Sequence, residues 1–161
     1  MKLVDTRGIT DPFVNLAIED YLLHNANTAK EDLLLLYVNE PSIIIGRNQN
    51  IYREVNFEFL RNGVLKIARR ITGGGAVYHD MGNLNFAFIT SFNDKKINNY
   101  PLFNAPLIKA FTKAGIDLKT DERNNITCRG KKVSGNAQFT NRKNIISHGT
   151  LLFNANLATL R

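Results

Sequence analysis

The apolar residues of this sequence come in short runs, and the longest of them, Leu33–Val38, has six residues. A helix needs about 20 apolar residues to cross a bilayer, so no run in the sequence is long enough for one. Runs of this length that end at Pro, Gly or Asn are typical of buried strands joined by turns. The sequence therefore predicts an α+β fold, with a mixed, largely antiparallel sheet flanked by a few helices.

Three segments carry helix signals. Asp11 and Pro12 form a helix start, because the carboxylate can cap free N–H groups and proline tolerates the first turn. From there to about Asn25, apolar residues recur every three or four positions, which predicts one buried helix face. That face comprises Phe13, Leu16, Ala17 and Tyr21. The other predicted helices are Asn56–Asn62, ended by Gly63, and Pro106–Ala114, closed by Gly115.

Short apolar runs also predict the strands of the fold. These are Leu33–Val38, Ser42–Ile45, Leu65–Arg69, Ala76–His79, Leu84–Thr90, Ile126–Arg129, Val133–Phe139 and Ile145–Asn154. Leu84, Phe86 and Phe88 alternate, so they should share one face of their strand. Turns are expected at Gly130–Lys132 and at Asn141–Asn144. Because residues 157–161 carry the start of a further helix, we expect 1–161 to be a single domain that is truncated at its C-terminal end.

The chain carries 21 Lys and Arg against 14 Asp and Glu, which gives a net charge of +7. Such an excess favours an anionic partner, which could be a nucleic acid, a membrane surface, a nucleotide or an acidic protein. Cys128 is the only cysteine, and this excludes an internal disulfide and any zinc site built on paired cysteines. The residues after Met1 contain no apolar stretch suited to a signal peptide, so a cytoplasmic setting is expected.

Three consecutive glycines, Gly73–Gly75, follow Arg69 and Arg70. Glycine lets the backbone adopt positive φ and approach a ligand closely, and successive N–H groups in such a loop can bind an anion. An arginine fork fits phosphate or carboxylate oxygens at two points. The segment is neither a P-loop nor a dinucleotide fingerprint, since no Lys-Ser/Thr pair follows and the glycine spacing differs. A plain glycine turn between two strands explains these residues equally well.

Lys132 and two histidines are further candidates for chemistry. Small residues follow Lys132, so its ammonium and the backbone could approach the same ligand and stabilise a growing negative charge. A solvated Lys-Lys hairpin is the simpler alternative. His79 and His148 could act as acids or bases, or as hydrogen-bonded strand residues. Neighbouring side chains of a strand point to opposite faces, so His79 and Asp80 cannot pair directly unless a turn intervenes, and no histidine spacing suggests a metal site.

Four segments, taken in order, form one pattern: Ile45–Asn50, Arg69–Asn83, Lys132–Ala137 and His148–Leu152. This pattern resembles the motifs of lipoate–protein ligases, and the second segment resembles the signature loop of that family. The resemblance extends from about Asp11 to Leu160. It implies the fold of the biotin/lipoate ligase group, which is related to the cores of class II aminoacyl-tRNA synthetases.

The resemblance implies a two-step reaction. The carboxylate of lipoate attacks the α-phosphate of ATP and releases pyrophosphate, and an acceptor lysine then attacks the lipoyl-AMP and releases AMP. The implied ligands are lipoate, ATP and Mg2+, with the magnesium held mostly by phosphates and with no dedicated metal site. The implied acceptors are the lipoyl domains of 2-oxoacid dehydrogenase E2 subunits, the glycine cleavage H protein, or both.

The resemblance also assigns roles to residues. Lys132 would be catalytic, because one ammonium with three donors can contact both the lipoate carboxyl and a nucleotide phosphate. The residues expected to bind ATP or the adenylate, besides Lys132, are Arg70, Gly73, Gly74, Gly75, Ala76, Val77, Tyr78, His79, Asp80 and Asn83. Those expected to bind lipoate, besides Lys132, are Arg47, Ser134, Gly135 and His148. The apolar acyl slot is expected along parts of the Ile43–Ile45 and Leu151–Phe153 strands.

Two other functions are alternatives to the ligase. A cysteine-dependent octanoyltransferase of the same fold needs no ATP, but its only candidate nucleophile is Cys128, which lies downstream of the expected position and inside a predicted strand. A basic nucleic-acid-binding module would explain the charge, yet the sequence has no RNA-binding or helix-turn-helix motif and its basic residues are scattered. Since ligases of this family continue beyond Arg161, activity could need the missing C-terminal part or an accessory subunit.

Overall fold

The computed structural model describes residues 1–60, 65–156 and 158 of the chain. The helices in this part are α1 (Pro12–Asn25), α2 (Ile51–Glu54), α3 (Phe57–Leu60) and α4 (Tyr100–Lys113), with a 3-10 turn at Asp94–Lys96. The strands are β1 (Lys2–Val4), β2 (Leu33–Val38), β3 (Ser42–Ile45), β4 (Lys66–Arg69), β5 (Val77–His79), β6 (Asn83–Ser91), β7 (Leu118–Thr120), β8 (Ile126–Cys128), β9 (Lys131–Ser134), β10 (Asn136–Thr140) and β11 (Asn144–Leu152). Within the described ranges, no helix is long and apolar enough to span a membrane.

Five strands form the main sheet, in the order β1-β2-β6-β11-β10. β1 runs parallel to β2, and the other neighbours pair antiparallel. The long central strand β6 directs alternate side chains to two faces of the sheet. Phe86 and Phe88 pack against α4 through Phe103, whereas Ala87 and Ile89 share a core with residues of α1. The candidate site lies on the α1 face.

Two smaller sheets border the main one, with the orders β4-β3-β5 and β7-β8-β9. β3 is parallel to β4 and antiparallel to β5. Residues 70–76, here called the glycine loop, connect β4 to β5, and Gly135 connects β9 to β10. The α+β class with mixed, mostly antiparallel pairing is confirmed, and the strands are distributed over three sheets. β1, β7 and the short helix α2 are elements that the sequence did not predict.

Helix α1 begins where predicted, and the Asp11 carboxylate caps it by accepting hydrogen bonds from the N–H groups of Phe13 and Val14. The prediction of its buried face is wrong, since Phe13 is 51% and Tyr21 is 65% exposed. The residues buried on α1 are Pro12, Asn15, Glu19 and Leu23. Polar side chains occupy the inner face because Asn15 and Glu19 both find hydrogen-bond partners in other elements.

Helix α4 begins at Tyr100, before the predicted start at Pro106. Asn99 caps the helix by accepting a hydrogen bond from the Leu102 N–H, and Pro106 lies inside the helix. Its end at Lys113, followed by Gly115 with φ +80°, agrees with the prediction.

The predicted helix after Asn56 is present as α3, whereas its predicted end at Gly63 lies outside the described residues. The further helix predicted to begin at the end of the chain lies largely outside the described residues as well.

The predicted strand Val133–Phe139 is two strands, which meet at Gly135 and belong to different sheets. The turn expected at Gly130–Lys132 is shorter than predicted. Gly130 has φ +73°, a conformation that favours glycine, but Lys132 is already part of β9. This correction matters for the site, because a strand fixes the direction of the Lys132 side chain more closely than an exposed turn would.

Candidate active site

A cavity of about 440 Å3 opens on the α1 face of the main sheet. The strand register builds its floor from one row of side chains. Tyr37 of β2 pairs with Asn85 of β6, which pairs with Thr150 of β11. The glycine loop and β5 form one wall, and residues 132–137 of β9 and β10 form the other. The cavity therefore lies where all three sheets meet.

The Arg70 guanidinium holds the glycine loop in shape. Its Nε–H donates to Thr72 Oγ1 at 3.0 Å, and Nη1 donates to the Ile44 carbonyl at 3.1 Å. Nη2 donates to the carbonyls of Gly73 and Gly75, both at 2.8 Å. Of the five N–H donors of a guanidinium, one is left for a ligand. Burial lowers the pKa of Arg70, but the group stays protonated at physiological pH.

Glycine is required at two positions around this loop. Gly74 has φ +97°, which a residue with a Cβ rarely adopts. The Gly74 carbonyl oxygen also lies against the α-carbon of Gly46, so that a Cβ at Gly46 would overlap it. The Ile45–Asn50 segment therefore supports the glycine loop by packing backbone against backbone.

A chain of buried hydrogen bonds connects Arg70 to α1. Thr72 Oγ1 lies 2.8 Å from His148 Nε2, and His148 Nδ1 lies 2.7 Å from Glu19 Oε2. The Tyr37 hydroxyl donates to Glu19 Oε1 at 2.8 Å. The Thr72 hydroxyl and the His148 ring therefore link the Arg70 guanidinium to the Glu19 carboxylate. The Glu19 carboxylate thus balances the Arg70 charge within the protein.

The phenol of Tyr37 is a permanent donor in this chain. Burial and the neighbouring Glu19 carboxylate both raise the pKa of Tyr37 well above its usual value. Glu19 itself is fully buried, and both of its oxygens have partners. An isolated buried carboxylate would be very costly, so these hydrogen bonds are needed to keep Glu19 inside the protein.

His79 is a neutral side chain at physiological pH. Burial is the main cause, and the nearby His148 and Arg70 add to it, so that the pKa of His79 falls to about 3. Asn39 Nδ2 lies 2.9 Å from His79 Nδ1, which makes Nδ1 the acceptor and leaves the proton on Nε2. His79 lines the cavity and can offer this N–H to a ligand, but not a positive charge.

The fixed charges at the cavity surface are positive. Arg70 and Lys132 line it, and no Asp or Glu of the described residues does. The Lys132 ammonium lies above Gly135, where a Cβ would be 3.4 Å from Nζ. In the part of the chain that the structure describes, Lys132 has no ion-pair partner. Such a cavity attracts an anionic ligand.

A metal ion would have to enter this cavity together with its ligand. Residues 1–60, 65–156 and 158 contain no group of three His, Cys, Asp or Glu side chains arranged to hold one. Magnesium prefers oxygen ligands and commonly keeps waters and substrate phosphates in its coordination shell. The lining residues therefore fit Mg2+ only as part of a nucleotide complex.

Most of the predicted site residues come together at this cavity. Those that line it are Arg70, Gly74, Gly75, Ala76, Val77, Tyr78, His79, Lys132, Ser134, Gly135 and His148. From the strands predicted to form the acyl slot, Ile44 and Leu152 also line it. Segments that lie far apart in the sequence are thus brought to one place.

Four predicted site residues lie outside the lining: Arg47, Gly73, Asp80 and Asn83. The Asp80 carboxylate accepts hydrogen bonds from the N–H groups of Gly82 and Asn156 and so connects two loops. Arg47 lies over the ring of Phe139, with its Cζ 4.8 Å from the ring centroid. A role for these four residues in ligand binding stays a prediction.

Sequence reasoning missed several residues of the site: Leu16, Glu19, Tyr37, Asn39, Thr72 and Asn85. Asn85 had a detectable signal, because Asn83 and Asn85 alternate with apolar residues and so give β6 one partly polar face. Glu19 had none, since its partners come from β2 and β11.

Residues 11–161 match the family described as the lipoyl protein ligase A/B catalytic domain. The chain belongs to this family. Its curated relatives include lipoate-protein ligase LplJ of Bacillus subtilis, 44% identical over 155 residues, and lipoate–protein ligase 1 of Staphylococcus aureus, 43% identical over 157 residues. The aligned parts are 96% and 98% of this chain but 46% and 48% of those relatives, so the chain spans about half of their length.

Solved structures of the family share the fold. A bi-partite lipoate protein ligase from Thermoplasma acidophilum, studied with its E2 lipoyl domain, superposes with a TM-score of 0.89 at 28% identity, covering 99% of this chain and 63% of that one. The P. falciparum protein LipL1 in complex with lipoate superposes with a TM-score of 0.83 at 35% identity, covering 99% of this chain and 50% of that one. A lipoate–protein ligase A bound with ATP superposes with a TM-score of 0.85 at 26% identity, covering 99% of this chain and 67% of that one.

Proposed function

We propose that this chain activates lipoate with ATP to form lipoyl-AMP and transfers the lipoyl group to a lysine of an acceptor protein. The observation that carries the proposal is a cavity with two cationic side chains and no carboxylate in its described lining. Lipoate and ATP are both anions, and the two half-reactions concentrate negative charge on one carboxyl and one phosphate. Fixed cations and donors are the groups that stabilise such charge.

In the first step, a carboxylate oxygen of lipoate attacks the α-phosphorus of ATP. A new P–O bond forms, the bond to the β-phosphate oxygen breaks, and pyrophosphate leaves with the electron pair. Lys132, which lines the cavity, contacts the carboxylate and the α-phosphate together and so reduces the repulsion between the two anions. Mg2+, when bound to the triphosphate, neutralises part of the charge of the leaving pyrophosphate.

In the second step, the amine of the acceptor lysine attacks the acyl carbon of lipoyl-AMP. The amide C–N bond forms, the bond from carbon to the phosphate oxygen breaks, and AMP leaves with that electron pair, while the amine loses a proton to the solvent. This step requires no covalent enzyme intermediate. The glycine loop holds the nucleotide, and its shape is fixed beforehand by Arg70, so little order has to be gained when the ligand binds.

The acyl tail of lipoate is apolar and needs apolar walls. The cavity supplies Leu16 of α1, Ile44 of β3, Ala137 of β10 and Leu152 of β11. These four side chains come from four different elements of the fold. Apolar walls of this kind suit a hydrocarbon tail.

The proposed acceptors are lipoyl domains of 2-oxoacid dehydrogenase E2 subunits and the glycine cleavage H protein, in the cytoplasm. A related archaeal ligase was studied with its E2 lipoyl domain, which supports the first of these. The net charge of +7 would favour an acidic acceptor surface.

The geometry gives no support to the two alternative functions. Cys128 lies in β8 and does not line the cavity, so a thiol-bound acyl intermediate would form away from the site. For a nucleic-acid-binding module, a cavity of about 440 Å3 with two cations in its described lining is not a long basic groove.

The test is Lys132→Ala, with Lys131→Ala as the matched control. Neighbouring strand residues point to opposite faces, so only Lys132 should matter, and both side chains are exposed enough to be removed without unfolding the protein. The chain is mixed with ATP, Mg2+, lipoate and an apo lipoyl domain, and lipoyl-AMP and the intact mass of the acceptor are measured. We expect Lys132→Ala to lower adenylate formation by at least about 100-fold.

Near-normal lipoyl-AMP formation by Lys132→Ala would refute the role of this ammonium. If the acceptor gained mass from octanoyl carrier protein without ATP, the transferase would be the correct assignment instead.

A further inference from the structure

Asn85 and Ser134 are buried polar residues of the cavity with unsatisfied hydrogen-bonding atoms. Each is 2% exposed, and neither Asn85 Nδ2 nor Ser134 Oγ has a hydrogen-bond partner among the residues that the structure describes. The Asn85 oxygen does have one, since it accepts from Asn83 Nδ2 at 3.0 Å. Both side chains line the cavity. Buried polar atoms are almost always paired in folded proteins, so a pair of unsatisfied atoms in one cavity points to a ligand.

These atoms lie at the Lys132 end of the cavity. Asn85 pairs with Thr150 in the strand register, and the Thr150 N–H donates to the Gly135 carbonyl at 3.2 Å. The Lys132 ammonium lies directly above Gly135. Ser134 directly precedes Gly135 and lines the cavity together with Lys132, although a β-bulge between Lys132 and Ser134 interrupts the side-chain alternation of β9. A ligand oxygen bound over Gly135, near the ammonium, is therefore also near the two neutral donors.

We propose that the Asn85 amide, assisted by the Ser134 hydroxyl, donates a hydrogen bond to the acyl oxygen of the bound acyl-adenylate. The inference rests on the proposed function and assigns neutral donors to the acyl oxygen, beside the Lys132 ammonium. When the acceptor amine attacks the acyl carbon, the C–N bond forms and the C=O electron pair moves onto this oxygen. The pair returns as the bond to AMP breaks. A donor fixed beside the oxygen stabilises the charge that forms there.

The test compares two ligands that differ only at the acyl carbon. One is lipoyl-AMP, and the other is the phosphodiester of AMP with the alcohol of lipoic acid, in which a methylene replaces the carbonyl. Both carry the same phosphate charge and the same tail, so the ratio of their dissociation constants isolates the acyl oxygen. Calorimetric titration of the 161-residue chain should show lipoyl-AMP binding about tenfold more tightly, as expected for one buried hydrogen bond.

Asn85→Asp is the first variant, because it keeps the shape of the side chain and the acceptor for Asn83 but cannot donate when ionised. Asn85→Ala is the second, and it serves where the aspartate prevents folding, as judged by circular dichroism. Asn104→Asp is the control, since Asn104 is also buried with an unsatisfied amide oxygen but does not line the cavity. We expect both Asn85 variants to reduce the tenfold preference to less than about twofold and the control to keep it.

An unchanged preference in a folded Asn85 variant overturns the inference, and so does a wild-type chain that binds the two ligands equally. In either case tight binding of both ligands would leave the proposed function intact. A wild-type chain that binds neither ligand overturns the proposed function, and the inference with it.

Discussion

His79 makes the stability of the fold sensitive to acid. In the folded protein its pKa is about 3, whereas the ordinary value of 6.5 applies once the chain is unfolded. Between these two values the unfolded chain binds a proton that the folded protein does not bind. The free energy of unfolding therefore falls as the pH falls from 6.5 towards 3, and it does not depend on His79 above this window.

The size of the effect follows from the two pKa values. Each pH unit inside the window lowers the free energy of unfolding by about 1.4 kcal/mol. Between about pH 7.5 and about pH 5, His79 alone should cost about 2 kcal/mol. The physical causes are the burial of the imidazole and the nearby His148 and Arg70, which disfavour a further positive charge, while Asp80 opposes them weakly.

Urea unfolding of the wild type and of His79→Asn at both pH values measures this contribution. Asparagine cannot bind a proton and can place an oxygen near the position of Nδ1, where Asn39 donates. The loss between the two pH values should be about 2 kcal/mol smaller in the variant than in the wild type. His24→Asn, at an exposed position of α1, should behave like the wild type. Equal losses in the wild type and His79→Asn would show that His79 is not the group responsible.

Two further pairs of substitutions test the packing and the hydrogen bonds around the site. Gly149→Ala should lower the free energy of unfolding by about 2–3 kcal/mol in urea titrations, because the new Cβ would lie 2.6 Å from Phe86 Cζ and 2.7 Å from the Gly135 oxygen. Gly135→Ala, whose Cβ meets only the flexible end of Lys132, should cost less than about 1 kcal/mol, and equal costs would contradict the argument. Glu19→Ala should lower the free energy of unfolding by about 3–5 kcal/mol, because it leaves the buried Tyr37 and His148 unpaired. Glu19→Gln should lower it clearly less. Thermal unfolding that ranks the two variants in the opposite order would refute this.

Local signals predicted the parts of the fold that depend on local contacts. The Asp11 cap fixed the start of α1, and the alternation of apolar residues in β6 correctly placed Phe86 and Phe88 on one face. The start of α4 was missed because two prolines are close together and either suits a first turn. Asn99 caps the helix, so Pro101 lies in its first turn and Pro106 lies within the helix.

The site was predictable where the sequence carries continuous motifs and not where tertiary contacts select the residues. The glycine loop and Lys132 were identified from their own segments, and the structure brings them to one cavity. Glu19 was not, because helical periodicity favours apolar residues on the inner face, and only the hydrogen bonds from Tyr37 and His148 make a carboxylate acceptable there. The alternation of Asn83 and Asn85 with apolar residues indicates a partly polar face of β6, but only the register of β2, β6 and β11 brings Asn85 to the floor of the cavity.

Because the side chains of β6 alternate between the two faces of the sheet, mutations on one face affect the cavity and mutations on the other affect the packing against α4. Residue 85 lines the cavity, whereas residues 86 and 88 pack on the opposite face, towards α4. A mutation at position 85 can therefore change what the cavity accepts while the aromatic packing behind it is preserved. A one-residue deletion in the same stretch would exchange the two sets and turn a phenylalanine towards the ligand, so this strand can evolve by replacement but not by shortening.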